Sequence, residues 1–207
     1  MSINNFDDIK NNIIGIDEVG RGAWSGPVVA CAVLLNDSIL INSRISEIND
    51  SKKLSKKKKK ELEIIIKDNS TFSFGISNPK EIDTNNILVA TKIAIMRAYK
   101  PFSNLNNKIK IDGPEFFFLN KKTEFVIQGD QSSISIASAS ILAKEYRDRI
   151  MNSFSKIYPG YDWENNMGYG TKSHNSGIKK NGLTPIHRLS FSPMKNLKSK
   201  LKLAKPH

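Results

Sequence analysis

The sequence predicts an α/β fold: a mixed sheet of five strands accompanied by helices and followed by a C-terminal helical and loop region. Three observations carry that expectation. Five strand-sized apolar runs occur near residues 13–17, 27–35, 71–76, 108–112 and 123–128, each bounded by turn residues. Longer segments with helical spacing separate or follow them, near 55–68, 86–99 and 132–157. Three of the strands run into carboxylates beside glycines: Asp17-Glu18 before Gly20, Asp112 before Gly113, and Asp130 after Gly129. A length of 207 residues suits one domain with one core, expected over about residues 12–191, with 192–207 as a lysine-rich, frayed tail.

The first strand lies in Ile13-Ile14-Gly15-Ile16-Asp17-Glu18-Val19-Gly20-Arg21-Gly22. Neighbouring side chains on a strand point to opposite faces, so Asp17 and Glu18 serve one site only where the strand stops or twists. Gly20 and Gly22 supply such a break and let backbone N–H groups approach a ligand. An ordinary hairpin with solvated acids has the same local signature. Pro27–Leu35 is apolar throughout, as in a strand buried on both faces, and the short connection makes it antiparallel to the first. It contains the single cysteine, Cys31, which reads as a small buried thiol.

Ser55 is placed to cap a helix that runs to about Asp68. Lys56 to Lys60 oppose the helix dipole and read as a solvated face, whereas Ser51, Lys52 and Lys53 are candidates for contact with a phosphate backbone. Thr71–Ile76 forms the third strand, closed by Asn78-Pro79. A turn and then a helix from about Asn86 to Tyr99 follow, ended by Pro101. Lys108–Asp112 and Thr123–Gln128 are the fourth and fifth strands. Ser133-Ile134-Ser135-Ile136 alternates like a strand, but the alanines at 137, 139 and 143 and the length of the segment favour a helix from about Ser132 to Ile157. Pro159-Gly160 ends it, and the remainder is loop-rich. No internal repeat or second domain is visible.

A net charge of +12, from 32 Lys and Arg against 20 Asp and Glu, suits a polyanionic partner, nucleic acid ahead of a membrane surface. No apolar run approaches a membrane span, and the stretch Met1–Asp8 has neither part of a signal peptide. One cysteine excludes an internal disulfide, so a reducing, cytoplasmic compartment is expected. His174, His187 and His207 are scattered without metal-ligand spacing. A Walker loop, a dinucleotide fingerprint and a nucleophile elbow are all absent. The strand-end acids remain. Carboxylates sharing a small site raise one another's pKa unless cations intervene, and Mg²⁺ or Mn²⁺ are the hard cations that suit such ligands. Two of them about 3.5–4 Å apart clamp a scissile phosphate.

From Gly15 to Phe191 the chain resembles the bacterial type 2 ribonucleases H, the ribonuclease HII family. The most specific stretch is Gly15-Ile16-Asp17-Glu18-Val19-Gly20-Arg21-Gly22, continued by Gly26-Pro27-Val28-Val29. Asp50-Ser51-Lys52-Lys53-Leu54-Ser55, Ile111-Asp112-Gly113, Gly129-Asp130, Ala139-Ser140-Ile141-Leu142-Ala143-Lys144 with Arg147-Asp148, Gly168-Tyr169, and His187-Arg188 with Ser190-Phe191 follow in the family's order. The resemblance implies a ribonuclease H-like fold, its first three strands antiparallel and helices on both faces of the sheet. It implies a monomeric, metal-dependent endonuclease with no membrane partner. Its expected substrates are RNA–DNA hybrids and duplex DNA carrying embedded ribonucleotides, cut to 3′-hydroxyl and 5′-phosphate ends with two Mg²⁺ or Mn²⁺ ions. By position it implies Asp17, Glu18, Asp112 and Asp130 as catalytic metal-binding acids. Gly20, Arg21 and Gly22 would contact the 2′-hydroxyl and Tyr169 would stack at the ribose–deoxyribose junction, with Ser51, Lys52, Lys53 and Arg188 as further substrate contacts. A 2′-hydroxyl reader makes physical sense, because that group alone tells RNA from DNA at a site.

Departures from the family pattern are Ala23 and Trp24 after the glycine loop, Pro114 after Asp112-Gly113, and Gln128 before Gly129. Trp24 is expected to crowd the loop beside the substrate. Two other readings stand beside the leading one: a DNA nuclease of the same broad fold, and a non-catalytic nucleic-acid-binding protein. A 2′-hydroxyl reader has no use in the first, and four retained acids would weaken phosphate binding in the second.

Overall fold

The computed structural model describes residues 7–48 and 55–197. Ser51, Lys52, Lys53 and most of the lysine-rich tail lie outside the described residues. The five strands are β1 (Ile14–Val19), β2 (Val28–Leu35), β3 (Ser70–Ser77), β4 (Ile109–Asp112) and β5 (Thr123–Val126), in the sheet order β3-β2-β1-β4-β5. β1 runs antiparallel to β2 and parallel to β4, and β4 runs parallel to β5, so the sheet is mixed as expected. The continuous apolar run of β2 is buried along nearly its whole length, and Cys31 is a free, buried thiol within it.

The parallel pairing of β1 and β4 has a chemical consequence. Ile16 stands opposite Ile111, which brings the next residue of each strand, Asp17 and Asp112, to the same end of the sheet. β1 does not break at its acids, however. It pairs with β2 through Asp17, Glu18 and Val19, and the chain leaves it at Gly20, the first of the two glycines expected to supply the break.

The helices are α1 (Asp7–Lys10), α2 (Lys56–Asp68), α3 (Pro79–Tyr99), α4 (Gly129–Ser132), α5 (Ile134–Ile157), α6 (Trp163–Asn166), α7 (Lys172–Asn181) and α8 (Ser192–Leu197). Ser55 caps α2 as expected, its hydroxyl accepting from the Lys58 N–H. α3 starts earlier than expected. Asn78 and Glu81 form a reciprocal capping box at 2.9 Å each way ahead of Pro79. Asn86, at φ 67°, then kinks the helix and caps its second half through Leu88 and Val89. The predicted helix is that second half.

By compactness the chain divides into two units. The first comprises Met1–Val19, Val29–Ile76 and Lys92–Glu145, and so contains most of the sheet. A close backbone approach explains Gly15, where a Cβ would lie 2.1 Å from the Ser135 carbonyl carbon, so only glycine lets the start of α5 rest on the β1 backbone. Buried Asp8 holds that helix end, accepting from the Ser133 hydroxyl and the Ser135 N–H, with the Lys110 ammonium 2.7 Å away.

The second unit comprises Gly20–Val28, Ser77–Thr91 and Tyr146–His207. Its core gathers Met151, Tyr161, Trp163, Ile178, Leu183 and Met194. The region expected to be loop-rich is thus ordered around aromatic residues by short helices. α7 is capped by Thr171, which accepts from the His174 N–H. The expected tail begins later than residue 192, because α8 buries Met194 in this core. Among the described residues no helix is long and apolar enough to cross a membrane.

Candidate active site

Four carboxylates were expected at strand ends, and all four belong to the first unit. Asp17 is buried to 8 % exposure, and its Oδ1 accepts the Glu18 N–H at 2.7 Å. Its pKa is pushed up to about 8, first by burial and then by the Glu18 carboxylate. A hydrogen bond from Ser140 opposes the rise, Asp112 adds to it, and the Glu18 N–H opposes it again. Glu18 and Asp112 are half-buried. Asp112 Oδ1 accepts the Gly129 N–H at 2.6 Å, which ties the end of β4 to the residue before Asp130.

Asp130 is itself buried, at 7 % exposure. It does not end a strand. β5 stops at Val126, Gln128 takes a left-handed conformation (φ 55°), and Asp130 lies in the one-turn helix α4.

Among the described residues no three His, Cys, Asp or Glu side chains are gathered into a group that could hold a metal ion. The four candidate ligands are all carboxylates, the donor type that a hard cation such as Mg²⁺ takes. The deciding observation is Asp17, a buried carboxyl whose pKa is raised by burial and by two neighbouring carboxylates, Glu18 and Asp112.

The ribose-reading candidates belong to the second unit, where two buried arginines hold the glycine loop. Arg188 donates from Nη2 to the Gly20 carbonyl at 2.6 Å, from Nη1 to Arg21 at 2.8 Å and from Nε to Gly26 at 3.0 Å. Arg147 donates to the carbonyls of Pro27 (2.9 Å), Met167 (2.8 Å) and Ser25 (3.1 Å). Burial, and then the neighbouring Arg147, hold Arg188 down at about 9. Arg188 is 0 % exposed, and its hydrogen bonds shape the loop that carries Gly20 and Arg21.

Gly20 needs its missing side chain on two counts, a φ of 94° and an Arg147 Nε that would stand 2.2 Å from a Cβ. Gly22 is exposed and Arg21 half-buried. A Cβ on Gly22 would lie 4.0 Å from the Tyr169 ring, so the structure brings the glycine loop and Tyr169 together. Tyr169 is 39 % exposed, with the Arg147 guanidinium 5.5 Å from its ring centroid.

The backbone of residues 24 and 25 is bound to the strand of chain before Tyr169, because the Trp24 and Ser25 N–H groups both donate to the Gly168 carbonyl. The Trp24 indole is partly buried against the core of this unit. It turns into the unit's interior against Gly170, where a Cβ would meet the ring at 2.2 Å, and lies 5.6 Å from the His174 ring. Asp83 accepts from the Leu189 and Ser190 N–H groups and the Ser190 hydroxyl, fixing the chain just after Arg188.

Sequence reasoning missed Ser140, Arg147 and the meeting of His174 with His187, whose ring nitrogens lie 3.2 Å apart. Ser140 and Arg147 stood inside the quoted motifs without a role. The histidines carried no local signal, because they meet only through the tertiary fold.

Comparison with known proteins agrees with the geometry. A profile of the family described as ribonuclease HII matches residues 14–194. The chain is 46 % identical over 186 residues to ribonuclease HII of Staphylococcus carnosus, covering 89 % of this chain and 69 % of that protein. The fold is similar to that of ribonuclease H2 from Pyrococcus horikoshii, with a TM-score of 0.70, 22 % identity and coverage of 91 % and 97 % of the two chains. It is also similar to Bst-RNase HIII, solved in complex with Mn²⁺, with a TM-score of 0.65 and 17 % identity over 90 % of this chain and 69 % of that one.

Proposed function

The chain belongs to the ribonuclease HII family, and from that premise we propose that it cuts duplex DNA at single embedded ribonucleotides as well as the RNA strand of hybrids. Membership makes it a metal-dependent endoribonuclease acting on RNA–DNA hybrids. The embedded substrate, two Mg²⁺ or Mn²⁺ ions, and products with 3′-hydroxyl and 5′-phosphate ends are what we add. We further propose that the two units serve as one catalytic domain, acting as a monomer in the cytoplasm without a membrane partner.

Asp17, Glu18, Asp112 and Asp130 would hold the cations. When bound, these supply a nucleophilic water and neutralise charge on the phosphate as the P–O3′ bond breaks. The observation that carries the reading is the burial of Asp17 beside Glu18 and Asp112, an excess of negative charge, reflected in the raised Asp17 pKa, that a divalent cation would offset. Gly20, Arg21 and Gly22 orient the ribose through backbone and guanidinium groups, and Tyr169 offers its half-exposed ring to the junction. Arg188 acts through the loop it holds. Ser51, Lys52 and Lys53 contact flanking phosphates.

The test is cleavage of a DNA duplex with one ribonucleotide, set beside an all-DNA duplex and a long hybrid, in Mg²⁺, in Mn²⁺ and in chelator. Cuts 5′ to the ribonucleotide only when metal is present are expected. Cleavage of the hybrid alone would remove the embedded substrate, and cleavage of the all-DNA duplex would remove ribose reading.

A further inference from the structure

His174 and His187 are both 0 % exposed, and the partners of each ring determine where its proton sits. The Thr184 backbone N–H donates to His187 Nδ1 at 2.9 Å, with the Thr184 hydroxyl at 2.8 Å from the same atom. That nitrogen is therefore an acceptor, and the neutral ring carries its proton on Nε2. The Trp163 indole N–H can only donate, and it reaches His174 Nε2 at 3.0 Å. His174 accordingly carries its proton on Nδ1, which faces the Tyr169 carbonyl oxygen at 2.9 Å.

The hydrogen bonds then run one way. Thr184 N–H donates to His187, His187 Nε2–H, at 3.2 Å, shares the His174 Nε2 lone pair with the Trp163 N–H, and His174 Nδ1–H donates to Tyr169. Ser25 Oγ stands 3.3 Å from the shared His174 Nε2. Burial holds both rings below the usual histidine range.

The chain ends on the backbone of one residue. The Tyr169 N–H is bound to the Asn166 carbonyl at 2.9 Å, and its own carbonyl also accepts the Thr171 N–H at 2.8 Å. The backbone of this residue is thus pinned on both sides while its ring faces solvent. We propose that His174 and His187 are positioning residues, a neutral, one-directional imidazole pair that fixes Tyr169 as the platform for the ribose–deoxyribose junction. The proposal rests on the ribose-reading role given to Tyr169 above. Packing alone explains buried rings here, but it does not require all four ring nitrogens to be engaged with a single polarity that terminates at Tyr169.

Two variants separate the halves of the His174 ring. His174→Asn keeps an N–H donor where Nδ1 stands, and His174→Gln keeps an acceptor for Trp163 where Nε2 stands. The readout is the ratio of cleavage rates on a single-ribonucleotide duplex and a long hybrid, on protein shown folded by its thermal transition. His174→Gln should lower that ratio about fivefold, the worth of one hydrogen bond, and His174→Asn should restore most of it. In the Tyr169→Ala background His174→Gln should change the ratio no further. Wild-type ratios in both His174 variants, or losses that multiply in the double variant, would overturn the proposal.

If Tyr169→Ala alone leaves the ratio unchanged, the ribose-reading role has failed, and NMR of the unliganded protein decides the positioning role separately. The ¹⁵N spectra should give His174 as the Nδ1–H tautomer and His187 as the Nε2–H tautomer. The Tyr169 carbonyl resonance should move in His174→Gln and hold in His174→Asn. The opposite tautomers, or a carbonyl indifferent to both variants, would refute it.

Discussion

The two units bury charge in opposite ways. In the first, Asp17 is enclosed beside Glu18 and Asp112, and the hydrogen bonds from Ser140 and the Glu18 N–H leave its pKa near 8. In the second, Arg147 and Arg188 are enclosed just as deeply, yet each delivers three hydrogen bonds to backbone carbonyls. Both arrangements cost desolvation. Only the second recovers much of it from the chain itself, whereas in the proposed reading the first is completed by a cation from outside. On that reading a buried charge that the fold satisfies is scaffolding, and one that the fold leaves short is a site.

Substitution on the acid side should give the largest effect. Asp17→Asn should cut metal-dependent cleavage on the order of 10³-fold, since several kcal/mol of charge stabilisation depend on the ligand set. Hybrid binding should hold or strengthen as an anion is lost, and the metal-free protein should melt higher at pH 8. Cleavage near the wild-type rate, or a lower melting point, would place Asp17 on the scaffolding side. Arg188→Ala should do the reverse, destabilising the fold by about 3–5 kcal/mol because it strands three buried carbonyls and leaves a cavity. Urea unfolding measures this, and a loss under about 1 kcal/mol would mean that water replaces the guanidinium freely.

The pH dependence sharpens the contrast. Asp17 is raised from 3.8 to about 8, so the folded form keeps a proton that the unfolded chain releases above pH 4. Its contribution is fully present below that pH and is lost as pH climbs through 8. His187 is lowered from 6.5 to about 3, so the unfolded chain takes up a proton that the folded form refuses. Its contribution is full above pH 6.5 and drains away as pH falls toward 3. Melting curves of metal-free protein between pH 4 and 9 should show Asp17→Asn flattening the alkaline side alone, and added Mg²⁺ raising wild type most at high pH. An alkaline side unchanged by Asp17→Asn would contradict the assignment.

The smallest effect concerns surface charge. Lys52→Ala and Lys53→Ala should each shallow the salt dependence of hybrid binding by about 0.7–0.9 in log K per decade. An unchanged slope would return both lysines to a solvated face.

The sheet was legible because its strands announce themselves by apolar runs, and the placement of Asp17, Glu18 and Asp112 because they stand near the ends of two of those runs. Ser55 and Asn86 were legible as caps or breaks. What sequence reasoning lost depended on partners without side-chain identity. Arg188 looks like a surface cation until the backbone carbonyls of Gly20, Arg21 and Gly26 surround it. The setting of Trp24 was hidden because nothing local says that Gly170 leaves room for its ring. α7 and α8 are short and polar, and their order comes from packing around Trp163, Tyr161 and Met194 rather than from their own periodicity. Asp130 kept its expected number but not its expected setting, since Gln128 reverses the chain before it.

The chain has two tryptophans, and both Trp24 and Trp163 lie in the second unit against the His174 ring. Intrinsic indole emission is therefore an optical probe of one unit only, quenched or shifted by whatever happens around His174 and the Tyr169 loop. The unit that carries the acids is dark at that wavelength. Far-ultraviolet circular dichroism reports the helices and strands of both units, so, followed together with the emission through a melt or a titration, a lag between the two traces would show one unit loosening apart from the other without any label.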